Sequence, residues 1–85
     1  MYKGKVIRGD SLDPNYKVKF SYSCDAYEII DGEAIFTRQS PFPIVIFDDH
    51  TDYIIEKYAI DDNVLKTLRL EIGKSVFDYI YSTRT

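Results

Sequence analysis

LKTLRLEIGKSVFDYIY, Leu65 to Tyr81, decides the architecture of this chain, because it admits two incompatible readings. Leu65, Leu68, Ile72, Val76 and Tyr79 recur at spacings of 3, 4, 4 and 3, which is one apolar stripe of an α-helix. Leu68, Leu70 and Ile72 also alternate, and Gly73-Lys74 would turn a hairpin into the aromatic and β-branched run 75–81. A glycine inside a helix costs about 1 kcal/mol relative to alanine, which favours the hairpin. Against it, the stripe continues unbroken past Gly73, and Leu, Lys, Arg and Glu dominate residues 65–71. The spacing therefore predicts a helix. Asp61-Asp62-Asn63 forms its start, with acids where the macrodipole favours them. Lys74 and Asp78 sit at i, i+4 and suit a weak pair.

Upstream the period changes to two. Val18, Phe20, Tyr22 and Cys24 alternate with Lys17, Lys19, Ser21 and Ser23, so Lys17–Cys24 reads as a strand with one buried face. On that pattern Cys24 is an inert core thiol. Lys3 to Ile7 reads as a first short strand, and Asp10 to Tyr16 as a loop built on Asp-Pro-Asn turn chemistry. Residues 27–30 and 33–37 read as a hairpin about Asp31-Gly32. Pro41 and Pro43 mark a strand entrance or a sheet edge, and the apolar Ile44 to Phe47 suits a strand buried on both faces. A short helix follows over Thr51–Tyr58, with Thr51 as its cap. The expected fold is α+β: a small antiparallel sheet of about four to five strands in the N-terminal two-thirds. It is packed by one long C-terminal helix and a short preceding helix, in a single domain over residues 1–85.

With 45% apolar and 29% charged residues in 85, the composition is that of an ordinary small globular domain. No apolar stretch suits a signal peptide or a membrane span, and the lone Cys24 rules out an internal disulfide. A reduced thiol in a cytoplasmic protein is expected, with no membrane contact. The net charge of −3 hides an uneven layout. Residues 1–24 carry five bases against two acids, residues 25–62 ten acids against two bases, and residues 63–85 four bases against two acids.

Potential chemistry concentrates in SPFPIVIFDDH, Ser40 to His50. Its IVIFDDH portion resembles the first strand of response-regulator receiver domains, in which an apolar run ends in two acids that help bind magnesium. A receiver places four further strands and their crossover helices after that point. Only 35 residues follow His50, too few to hold them. A haloacid-dehalogenase motif needs its acids two apart, whereas Asp48 and Asp49 are adjacent. Taken alone, Asp48, Asp49, His50 and Asp52 offer oxygen and nitrogen ligands, yet neighbours leaving a strand point to opposite faces. Capping of the next helix accounts for them with less machinery. Neither a nucleophile elbow nor a phosphate loop surrounds the serines and glycines, and Cys24–His50 is the sole conceivable thiol–imidazole pair. No cofactor, metal or catalytic residue is expected. Arg8, Lys17 and Lys19 open a nucleic-acid reading, disfavoured by a pI near 5.0 and by aromatics on the face opposite the lysines.

Two features point to a protein partner. Asp48, Asp49, Asp52, Glu56, Asp61 and Asp62 oppose only Lys57 within fifteen residues, an acidic patch suited to a basic surface. Leu70, Phe77 and Tyr81 project about 120–160° from the main helical stripe at 100° per residue, forming a second apolar ridge. That ridge packs under the 51–58 helix or forms a partner or homodimer surface. The expectation is a small non-enzymatic protein-binding domain of inhibitor, antitoxin or immunity type.

Overall fold

The computed structural model describes residues 1–83. Four strands form one antiparallel sheet in chain order: β1 (Tyr2–Val6), β2 (Asn15–Ser23), β3 (Glu28–Thr37) and β4 (Ile44–Phe47). Two helices follow, α1 (Asp49–Lys57) and α2 (Asp62–Thr83). The fold is α+β, and α2 runs straight through Gly73 with no hairpin. Its predicted stripe is the buried face: Leu68, Ile72 and Val76 pack on Val18, Ile29 and Phe36 of the sheet, all essentially without solvent contact. Gly73 has a packing reason. A Cβ there would stand 3.2 Å from Cε2 of Phe36, so the missing side chain lets α2 settle onto that ring.

The Asp31-Gly32 hairpin is not formed. β3 passes through these residues as one ten-residue strand, and the chain reverses earlier, at Cys24–Tyr27, where the Cys24 N–H donates to the Tyr27 carbonyl (3.0 Å). Asp-Gly instead makes a bulge: Phe20 pairs with Gly32 but Tyr22 with Ile29, so β3 carries one extra residue, with Asp31 at φ 56°. The bulge lets both Ile29 and Gly32 face the core despite their odd spacing. A Cβ on Gly32 would fall 2.8–3.0 Å from the Phe20 ring, so the aromatic lies across the space the glycine leaves. Cys24 is likewise corrected. It is exposed in the turn, because β2 ends at Ser23 before the alternation can carry it inward.

β4 is an edge strand and not one buried on both faces. Ile44 and Ile46 lie on the solvent side, Ile46 at 62% exposure, while Phe47 turns inward. Since β4 stops at Phe47, the half of β3 around its bulge has no strand on that side, and α1 takes the position. The Asp48 N–H donates to the Glu33 carbonyl (3.0 Å), the Glu33 N–H donates to Thr51 Oγ1 (3.0 Å), and His50 Nε2–H donates to the Ile30 carbonyl (3.1 Å). Thr51 is therefore not the cap. Asp48 is, accepting from the Thr51 N–H at 2.9 Å, and Thr51 is fully buried as the strut between α1 and β3.

Candidate functional site

One helix cannot cover four strands. Strands about 4.8 Å apart spread the sheet over about 14 Å between the outer pair, whereas a helix is about 10 Å across. Here α2 lies over β1 and β2 and reaches β3 at its margin. Between α2 and the loop before β4, above Phe36 and Val45, lies an open slot of about 890 Å³. Phe36, Val45 and Gly73 form its floor, Leu70 and Phe77 of α2 one wall, and Phe42 and Pro43 the other. Phe77 stands edge-to-face on Phe36, ring centroids 5.9 Å apart with 79° between planes.

The second ridge of α2 does not pack under α1. Leu70 is 71% exposed, Tyr81 66% and Phe77 42%; Leu70 and Phe77 line the slot, and Tyr81 lies one turn beyond Phe77. Phe42, 76% exposed, faces them from the loop before β4. That loop leaves β3 through a clamp. Arg38 donates through Nε and Nη2 to both oxygens of Asp13 (2.8 and 2.9 Å), and Tyr16 donates its phenolic proton to the same carboxylate (2.8 Å). Burial, then this hydrogen bond, holds the Tyr16 phenol above its ordinary range, while the bond to Asp13 raises the Arg38 guanidinium.

Five of the six acids predicted to form a patch lie at helix starts, and Glu56 does not. Asp48 caps α1, and Asp49 and Asp52 lie in its first turn. Glu56 is exposed near the end of α1, Asp61 accepts from the Asn63 N–H (2.7 Å) ahead of α2, and Asp62 opens α2 and reaches the rim of the slot. Apart from that of Glu56, these roles follow from N-terminal capping and dipole complementarity. Among the described residues no three His, Cys, Asp or Glu side chains converge closely enough to hold a metal ion. The outer face of the sheet gathers Lys3, Lys5, Lys17 and Lys19, with Lys17 and Lys19 reaching Glu33 at 3.6 and 3.7 Å.

The slot has the size of a small-molecule site; its floor is aromatic and aliphatic, and its charged groups, Asp62, Lys66, Arg69, Lys74 and Asp78, stand on the rim along α2. Its open side and long axis suit an apolar segment of polypeptide. Phe36, Phe42 and Val45 escape a sequence reading that sets β4 inside the sheet. The signal that locates them is the pair Pro41 and Pro43, since proline guards an edge and an edge strand leaves its flank uncovered. No protein-family model matches this chain, and no curated protein and no solved structure matches it either.

Proposed function

We propose that this chain is a non-enzymatic protein-binding domain that takes an apolar segment of a partner into the slot between α2 and β4. One observation carries the reading: Leu70, Phe77 and Phe42 stand exposed around a common groove between α2 and the loop before β4. Apolar side chains scattered singly need no explanation, but three large ones converging on one apolar floor form a contiguous patch of the kind that marks an interaction site. Aromatic anchors seated in such a groove are where binding energy concentrates. The acidic exposed face of α1 serves as a secondary contact, attracting a basic region of the same partner and raising the association rate more than the affinity.

Quantitative affinity capture from the source cells, comparing the unmodified chain with three variants, tests this. Leu70→Lys and Phe77→Lys remove the partner retained by the unmodified chain, whereas Asp49→Lys with Asp52→Lys and Glu56→Lys weakens its retention without abolishing it. Full retention by both ridge variants, with loss in the acid-reversed form, transfers the site to α1 and rejects the slot.

A further inference from the structure

The groove has a charge pattern as well as a shape, and the two together specify its occupant. Along the α2 wall the rim carries Lys66, Arg69 and Lys74, with Asp62 and Asp78 only at the two ends. Among the described residues no carboxylate lies within salt-bridge distance of any of the three bases, not even at the i, i+4 spacings Asp62–Lys66 and Lys74–Asp78. Arg69 instead rests its guanidinium over the Phe47 ring, 5.6 Å from the centroid. Among the described residues Arg38 is clamped by Asp13, and Lys17 and Lys19 share Glu33, while Lys3, Lys5, Arg8 and Lys57 likewise have no salt bridge. The central stretch of the rim thus presents three bases above an apolar floor, with one acid at each end.

Resting on the slot reading above, we infer that the occupant is an acidic amphipathic α-helix supplied by a different protein. It would lie beside α2 in the slot, with Leu70 and Phe77 on one side and Phe42 on the other. Leu70 and Phe77, seven residues apart, lie about 10 Å apart along the wall. Two turns of a docked helix at i, i+3, i+4 and i+7 match that distance. From Asp62 to Asp78 the wall runs about 24 Å, which sets the length of the segment at about 16 residues. Its apolar stripe meets Phe42, Val45, Leu70 and Phe77, and its Asp or Glu flank meets Lys66, Arg69 and Lys74.

A second copy of this chain does not fit that description. Its α2, laid antiparallel in the groove, brings the same three central cations against their counterparts. Its α1 offers acids, but on its exposed stripe Asp49, Asp52 and Glu56 surround Tyr53 as the one apolar group. Charge therefore selects a foreign helix over self-association.

A yeast-displayed library of randomised 16-residue peptides, selected against the purified chain, provides the probe. Enriched sequences are expected to carry an apolar stripe at helical spacing with Asp or Glu beside it. Their binding should fall at least tenfold with Leu70→Lys, and charge reversal at Lys66, Arg69 and Lys74 to Glu should invert the preference toward basic helices. Circular dichroism confirms that the exposed-site variants stay folded. Binders that are sensitive to Leu70→Lys but extended, neutral or basic overturn the acidic helix and leave the slot standing. Binders indifferent to Leu70→Lys and Phe77→Lys overturn both. An empty selection overturns the acidic helix, as does a dimer in sedimentation equilibrium that Leu70→Lys disperses, which would assign the slot to a second copy.

Discussion

Phe77 sits edge-on to Phe36, the rim of the slot against its floor, yet the two residues belong to different energetic classes. Phe36 is fully buried between sheet and α2, whereas Phe77 keeps 42% of its surface in water. Phe36→Ala should cost about 3–5 kcal/mol, the range for deleting a core aromatic. Phe77→Lys should cost below about 1 kcal/mol, because little beyond the one ring contact is lost. Urea unfolding of the two variants checks the contrast. A large loss at Phe77 would mean that the ring holds the fold together and is no free anchor.

Thr51 carries a second contrast. Its hydroxyl accepts from the Glu33 N–H, and its own N–H donates to Asp48. Thr51→Val keeps the shape and strands a buried backbone donor, for an expected loss of about 1–3 kcal/mol. Asp48→Ala removes only the cap and should cost about 1 kcal/mol. If the two variants unfold at the same denaturant concentration as the unmodified chain, α1 is not fastened to β3 in this way.

The end of α1 is built to accept glycine and holds alanine. Ala59 has φ 48°, its N–H donates to the Glu56 carbonyl (3.1 Å), and the Ile60 N–H donates to the Ile55 carbonyl (3.0 Å), the paired bonds of a Schellman motif. An L-residue in that left-handed position is strained by about 1–2 kcal/mol, part of which glycine gives back in unfolded-chain entropy. Ala59→Gly should therefore stabilise the chain by about 0.5–1 kcal/mol, or several degrees in melting temperature for a domain of this size. An unchanged or lowered melting temperature would contradict the assignment.

How legible these features were follows from how local they are. The α2 stripe and the Leu70/Phe77/Tyr81 ridge are set by 100° per residue within one segment, and both lie where periodicity puts them. Asp31-Gly32 is turn chemistry taken alone. Pairing along the whole of β2, Asn15–Ser23, makes it a bulge instead. Asp48 and Thr51 are both competent caps by residue type, and only the position of Glu33 decides which one caps and which one is buried. The slot was the least legible. Its existence depends on which strands α2 covers, and no spacing within α2 encodes that choice.

Alkaline pH should destabilise the fold. Burial is the leading cause that raises the phenols of Tyr2, Tyr16 and Tyr27 above the ordinary value near 10. Below that value both folded and unfolded chains keep these protons, and stability is at its full level. As pH climbs past it, the unfolded chain releases protons first, so stability falls until the folded pKa values are passed. Denaturant midpoints should be level with respect to these groups from about pH 8 to 9 and decline above about pH 10. Tyr27→Phe should make the decline shallower. A midpoint that rises between pH 10 and 11 would reverse the sign and refute the account of these phenols.

Site-specific photo-crosslinking reads the location of the partner most directly. A photoreactive residue is placed in turn at Phe42, Leu70 and Phe77 in the slot, at Asp52 and Glu56 on α1, and at Lys3 and Lys19 on the outer sheet face. With the captured partner present, all three slot positions should yield the same crosslinked species, the α1 positions a weaker yield, and the outer face none. Strong crosslinks from Lys3 and Lys19, with none from Leu70 or Phe77, would contradict the central claim.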